Sequence, residues 1–186
     1  MRIGVISDTH VPNAVDVLPH QIKKAFAGVD LILHAGDIYQ PDCLQWLEEI
    51  APVTAVENNA AAHFGNDPRV AEKRVISLES HAIGMVHDLM LRDFSYEIRP
   101  GVIARRGLST NQALPSMVHH VFGEPVNIVI FGHTHHAVAE EHQGVLFVNP
   151  GSPVLPMQLR KLGQVALLDI TPTTRTAQIL DLAQYT

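Results

Sequence analysis

The sequence predicts an α/β fold whose strands deliver polar residues to one end, and three observations predict it. Apolar runs of strand length recur at residues 3–6, 31–33 and 127–131. Each run leads directly into a short segment rich in Asp, His and Gly. Apolar residues at helical spacing fill the interval between the first two runs. In open α/β sheets ligands bind beyond the carboxyl ends of strands, so residues there can converge from distant parts of the chain.

Taken in order, the first run ends in Ser7-Asp8-Thr9-His10, and Ile22, Ala25, Phe26 and Val29 then recur at helical spacing. The second run ends in His34-Ala35-Gly36-Asp37. A helix follows Pro41 with Leu44, Leu47 and Ile50 on its inner face, and it has stopped by Pro52, before a strand over 53–56. This β-α-β-α-β order implies parallel strands with covering helices. From Arg74 the pattern changes: strands over 75–78 and 83–86 are too close for a helical crossover and predict an antiparallel hairpin. Pro100-Gly101 predicts a turn within 89–107, a stretch that otherwise carries no periodic signal. A helix over 108–121, a strand over 126–131, a hairpin of 138–142 with 145–148 about Gln143-Gly144, and strands over 165–170 and 177–180 complete the chain. Two facing sheets covered by helices is the economical arrangement, with residues 1–186 as one domain.

Composition narrows the function. With 46% hydrophobic and 17% charged residues the chain has an ordinary globular balance, and no apolar stretch approaches the roughly 20 residues of a membrane helix. Met1-Arg2 leads straight into the first strand without a secretory signal, so the expected location is cytoplasmic, and the lone Cys43 fits a reducing compartment. The net charge of −6 and pI near 6.0 argue against a broad nucleic-acid surface. A small phosphorylated substrate stays compatible with that charge, because bound metals dominate the local field. The sequence leaves oligomeric state open, a homo-oligomer included.

The polar residues at the run ends are Asp8, His10, Asp37, Asn59, His87, His133 and His135. Singly these are ordinary: an Asp-x-His after a strand is usually a turn residue beside a surface histidine, and Gly36-Asp37 is a common turn signal. Together at strand ends they form the ligand set of a two-metal hydrolytic centre. Nitrogen and oxygen donors without thiolate favour Mn, Fe, Ni or Zn over Ca or a purely oxygen-ligated Mg, with Mn placed first. Of the other histidines, His34 is either a structural residue or one that orients Asp37. His20, His81, His119, His120 and His142 are expected at the surface, while His63 and His136 lie near ligands without matching a motif position. Arg99, Arg105 and Arg106 fit a solvated charged loop better than a phosphate clamp.

Asp8-x-His10, Gly36-Asp37, Asn59, His87, Gly132-His133-Thr134-His135 and Asn149-Pro150-Gly151-Ser152 occur in an order that resembles the calcineurin-like metallophosphoesterases of the small bacterial and archaeal phosphodiesterase type. The resemblance covers nearly the whole chain. It implies a four-layer α/β/β/α sandwich of two mixed sheets. It also implies that Asp8, His10, Asp37 and His135 hold one divalent ion, and Asp37, Asn59, His87 and His133 the other. Asp37 is then the natural bridge, since one carboxylate has an oxygen for each ion.

The implied activity is phosphodiester or nucleotide hydrolysis with a metal-bound hydroxide as nucleophile. Phosphomonoesterase or nucleotide pyrophosphatase chemistry is the first alternative. A scaffold protein with decayed activity, like the phosphoesterase-like subunit of the retromer, is the second. Departures from the family pattern bear on that choice. Asn58 replaces the usual Gly, Asp88 stands where Gly usually follows the histidine, and Ala60-Ala61 replaces a pair that in relatives carries His, or Cys followed by Asp. Neither alanine can donate a proton to a leaving group, which leaves His63 as the acid candidate.

Overall fold

The computed structural model describes residues 1–91, 97–106 and 113–185. The alternation expected at the start is present as β1 (Arg2–Ile6), α1 (Gln21–Ala25), β2 (Leu31–His34), α2 (Pro41–Glu48) and β3 (Val53–Val56). The three strands lie parallel, with Ile3 opposite Leu31 and Ile32 opposite Val53. Pro41 opens α2, where its missing N–H leaves no bond unmade. The first helix is shorter than its apolar spacing predicts. The chain turns through Gly28 at φ +77°, and Val29 reaches the core from the turn instead.

Two short elements follow that hydrophobic spacing did not predict: α3 (Ala60–Phe64) and β4 (Val70–Ala71), the latter parallel to β3. Neither is long enough to display a period. The expected hairpin forms from β5 (Lys73–Leu78) and β6 (His81–Val86). The Pro100-Gly101 turn leads into α4 (Val102–Arg106). The helix expected over 108–121 is α5 (Leu114–Phe122), and the first residues of the expected span lie outside those described. Then come β7 (Ile128–Ile130), β8 (Val138–His142), β9 (Val145–Asn149), β10 (Gln164–Ile170) and β11 (Arg175–Asp181).

One sheet runs β11-β10-β1-β2-β3-β4 and the other β5-β6-β7-β9-β8, both mixed. Three cores define the layers. Ile22, Phe26, Leu44 and Leu47 pack on the outer face of the first sheet. Ile3, Val5, Leu33, Ile83, Ile128 and Ile130 fill the space between the sheets. Ile103, Leu114, Met117 and Val118 cover the outer face of the second sheet against Val129, Phe131 and Phe147. The result is the expected α/β/β/α sandwich. Among the described residues no helix is long and apolar enough to cross a membrane.

His81, expected at the surface, is buried. Its Nε2 lies 2.9 Å from the Thr171 carbonyl and 3.1 Å from that of Thr174, and its Nδ1 lies 3.1 Å from the Asn127 amide. The β5–β6 turn packs against the β10–β11 turn of the facing sheet, so its polar residue is enclosed and fully hydrogen-bonded. His142 is likewise half-buried rather than solvated, with Nε2 2.9 Å from Glu140 Oε2.

Candidate metal centre

Five strands end at one place. β1 delivers Asp8 and His10, β2 Asp37, β3 Asn59, β6 His87, and β7 His133 and His135. Parallel pairing within each sheet puts these carboxyl ends side by side, and the stacking of the sheets sets one row against the other. Leaving a strand abruptly toward a shared point demands sharp turns. Asp8, His10, Asp37, Asn59, His133 and His135 all have positive φ, between 49° and 68°. Non-glycine residues rarely adopt that conformation, Asp, Asn and His least reluctantly, and such strain collects at functional sites.

Asp8, His10, Asp37 and His135 each place a ligand atom so that all four lie within 4.8 Å of one another. His10 Nε2 is 3.0 Å from His135 Nε2 and 3.4 Å from Asp37 Oδ2, and His135 Nε2 is 3.4 Å from Asp8 Oδ1. The tautomer of His135 follows from its other nitrogen. Nδ1 lies 2.8 Å from the Leu155 carbonyl, which only accepts, so Nδ1 carries the hydrogen and Nε2 presents a lone pair inward. His10 Nδ1 pairs with the Tyr39 hydroxyl at 2.8 Å.

Asp8 is fully buried, and burial pushes its carboxyl well above the usual carboxylate range. Asp37 and Glu57 push the same way, while Ser7 and the His133 N–H oppose them. Burial also lowers the histidines His10 and His135, so both favour the neutral, ligating form. Two carboxylates and two neutral imidazoles around one point fit a divalent cation.

The other three expected ligands are less gathered. His87 is buried, donates from Nδ1 to the Ala35 carbonyl at 2.7 Å, and turns Nε2 toward Asp37 Oδ1 at 3.6 Å. The His133 ring stands edge-on to His87 at 5.4 Å, and both His133 and Asn59 are exposed. The Asn59 side chain makes no hydrogen bond to the cluster among the described residues. Asp37 thus faces both groups, with Oδ2 toward His10 and Oδ1 toward His87.

Residues around the cluster hold its loops. His34, left open between a structural role and the orientation of Asp37, is tied to the Asp37 backbone: it accepts from Gly36 N–H at Nδ1, so its Nε2–H donates to Thr9 Oγ1 at 3.1 Å, and Thr9 donates to the Asp37 carbonyl at 3.1 Å. Complete burial drives its imidazole down to about 3, which keeps it neutral. Asn149 donates to the Gly132 carbonyl at 2.8 Å, and Ser152 donates from its hydroxyl to the Asp8 carbonyl at 2.7 Å. The Asn149 to Ser152 motif is therefore a brace beneath the ligand loops. Gly36 and Gly132 are required for space: a Cβ on Gly36 would collide with the His87 ring, and one on Gly132 with Ser7 Oγ and Asp8 Oδ2.

Glu57 was missed by motif reasoning. It is buried at the end of β3, and its carboxylate accepts from the N–H groups of Ile38 at 2.7 Å, Asn58 at 3.1 Å and Asp37 at 3.3 Å. The available signal was an acid closing the apolar run Val53-Thr54-Ala55-Val56.

Ala60 is buried in the core beneath α3, whereas Ala61 and His63 are exposed. Among the described residues His63 makes no hydrogen bond to the cluster. Arg99 pairs with Glu97 at 2.6 Å, and Arg105 donates to the Gly101 carbonyl at 3.2 Å, as a charged loop would.

Comparisons with known proteins identify the family and the fold. A probable metallophosphoesterase of Methanothermobacter thermautotrophicus is 36% identical over 157 residues, which cover 84% of this chain and 79% of that protein. A phosphodiesterase of Methanocaldococcus jannaschii is 28% identical over 160 residues, covering 81% of this chain and 83% of that one. In fold, the chain resembles zinc-complexed Vps29 of Entamoeba histolytica, with a TM-score of 0.67 and 21% identity over 98% of this chain and 99% of that one. A structure of an archaeal phosphodiesterase gives 0.61 and 19% over 97% and 100%. The family model of the calcineurin-like phosphoesterase superfamily domain matches residues 1–173, and the chain belongs to that superfamily, whose family chemistry is phosphoric ester hydrolysis.

Proposed function

We propose that the chain is a metal-dependent phosphodiesterase that hydrolyses a small phosphodiester or nucleotide at a two-metal centre. The observation that carries this reading is the divided carboxylate of Asp37, one oxygen 3.4 Å from His10 Nε2 and the other 3.6 Å from His87 Nε2. In this reading Asp8, His10, Asp37 and His135 hold one ion, and Asp37, Asn59, His87 and His133 the other. Two dications against two carboxylates leave a cationic centre suited to a phosphate. When bound, the ions would supply a nucleophile at neutral pH and stabilise charge on the attacking and leaving oxygens.

The chain's own part is orientation. Backbone carbonyls of Leu155 and Ala35 fix the tautomers of His135 and His87, Glu57 holds the turn that carries Asp37, and exposed His133 and Asn59 line the side from which substrate arrives. Manganese and a cytoplasmic location belong to the proposal. The thiolate-free donor set and the single, buried Cys43 support them. The diester preference draws support from the phosphodiesterase among the relatives.

The deciding assay uses metal-reconstituted protein with bis(p-nitrophenyl) phosphate and p-nitrophenyl phosphate, alongside a count of bound metal. Two ions per chain and faster cleavage of the diester are expected. Preference for the monoester would move the assignment to a phosphomonoesterase or nucleotide pyrophosphatase. Two bound ions without turnover of either substrate would favour the scaffold reading, which Ala60 and Ala61 support by offering no proton donor.

A further inference from the structure

A cleft of about 280 Å³ lies between the loop that follows His10 and the loop that follows Ser152. Val15, Pro19, Val154 and Leu162 give it an apolar lining, and Arg160 and Lys161 stand on its wall. Both walls grow out of the cluster. The Ala14 N–H donates to the His10 carbonyl at 2.7 Å, the His135 ring donates to the Leu155 carbonyl at 2.8 Å, and the Met157 N–H donates to the His135 carbonyl at 3.1 Å. The loops that wall the cleft are therefore hydrogen-bonded directly to the two histidines of the packed cluster.

The cations are the second observation. In a chain of net charge −6, Arg160 and Lys161 stand side by side on this wall, and among the described residues no carboxylate pairs with either. Arg160 spends one N–H on the Asn13 carbonyl at 3.2 Å, which steadies the guanidinium across the cleft and leaves its other donors available. Met157 and Gln158, between His135's contact and Arg160, have φ of 52° and 65°, a strained turn that the surrounding bonds sustain. A small apolar cleft with a few convergent cations has the makeup of a ligand subsite for a body carrying an anionic group.

We propose that this cleft binds the part of the substrate that is not cleaved, and that it selects a phosphodiester bearing a second, terminal phosphate on an apolar or planar body. The proposal rests on the phosphodiesterase reading for its place in the reaction, and on the cleft alone for binding.

The test compares two substrates in metal-reconstituted protein: the p-nitrophenyl ester of thymidine 5′-phosphate, and the same ester with a phosphate added at the 3′ hydroxyl. Water cleaves the P–O bond to nitrophenol in both, so the chemistry is matched. In the wild type the added phosphate should raise kcat/KM roughly tenfold, mainly through KM, as expected of charge-assisted contacts at an exposed wall. In the Arg160→Gln/Lys161→Gln double variant, checked for folding by circular dichroism, that ratio should fall to near one. A wild-type ratio near one, or an unchanged ratio in the variant, overturns the proposal.

Calorimetric titration with thymidine 3′,5′-bisphosphate supplies a readout independent of turnover, with binding expected to weaken about tenfold in the variant. Weakened binding in a protein that cleaves neither ester would uphold the cleft and defeat the hydrolase reading. Equal binding in both proteins would defeat the cleft, whatever the turnover.

Discussion

The two halves of the centre are built differently. Around Asp8, His10 and His135 the ligand atoms already touch, Asp8 and His135 are buried, and hydrogen bonds orient the rings of His10 and His135. Around Asn59 and His133 the side chains are exposed, and only the buried His87 reaches Asp37. The packed half lies where the β1, β2 and β7 loops press together over Gly132. The exposed half borders α3, where alanines fill the positions after Asn59. Preorganisation is thus concentrated on one side and access on the other. A hydrolytic site needs both, because ligands must be held while substrate still enters.

The strongest way to break this comparison is to delete one ligand from each half. His133→Ala and Asp8→Ala should each cost roughly 10³-fold or more in metal-dependent kcat/KM, the scale of several kcal/mol of lost charge stabilisation. Circular dichroism should show both variants folded. Urea titration should separate them, with His133→Ala within about 0.5 kcal/mol of wild type and Asp8→Ala visibly shifted, because only Asp8 is enclosed. Unfolding of both would mean that core residues had been mistaken for ligands.

A smaller effect is expected at the leaving group. With no donor at Ala60 or Ala61, log kcat/KM should fall steeply with leaving-group pKa, since a general acid is worth about 10² to 10⁴ in rate. His63→Ala should leave that slope alone. A flat wild-type plot that steepens in the variant would instead identify His63 as the proton donor on the exposed side.

Crowding in the packed half can be probed through Gly132→Ala, whose methyl would press on Ser7 Oγ and Asp8 Oδ2. Overpacking of this kind costs about 1–3 kcal/mol. Metal titration should show the site nearer Asp8 weakened more than the one nearer His87, and equal weakening would argue that the halves are one mechanical unit.

A test that alters no ligand is pH. His34 is held neutral down to about 3 in the folded chain, against an ordinary 6.5. As pH falls below about 6.5 the unfolded chain takes up a proton that the folded one refuses. The contribution is therefore whole above that pH and is lost progressively toward about 3, by up to ~1.4 kcal/mol per pH unit. Urea melts of His34→Gln across this range should show a shallower pH dependence than wild type. An identical dependence would remove His34 from the account.

Much of this was legible in the sequence because strand ends announce themselves. The runs before Asp8, Asp37 and His133 end where polar residues begin, and each became a strand. The hairpins were legible from spacing too short for a crossover. The small elements α3 and β4 were not, because they lack a period, and the end of α1 was set by Gly28 rather than by the apolar spacing that runs past it. Glu57 was overlooked because a buried carboxylate serving backbone N–H groups has no spacing signature. His81 was misplaced because its enclosure comes from the facing sheet.

By itself, then, the sequence determined two facing sheets covered by helices, which the family resemblance sharpened to a four-layer sandwich, the order of every strand but β4 along the chain, and the chemical identity of the seven candidate ligands. Hydrophobic period and residue type are local properties, and both can be read without coordinates. Only the tertiary structure decided that Asp37 turns one oxygen to each group, that six of those seven residues sit in left-handed backbone, and that the loops after His10 and Ser152 enclose a cleft with Arg160 and Lys161 on its wall. Those facts depend on how two sheets stack and on which loops then meet, and contacts between residues far apart in the chain leave no local pattern.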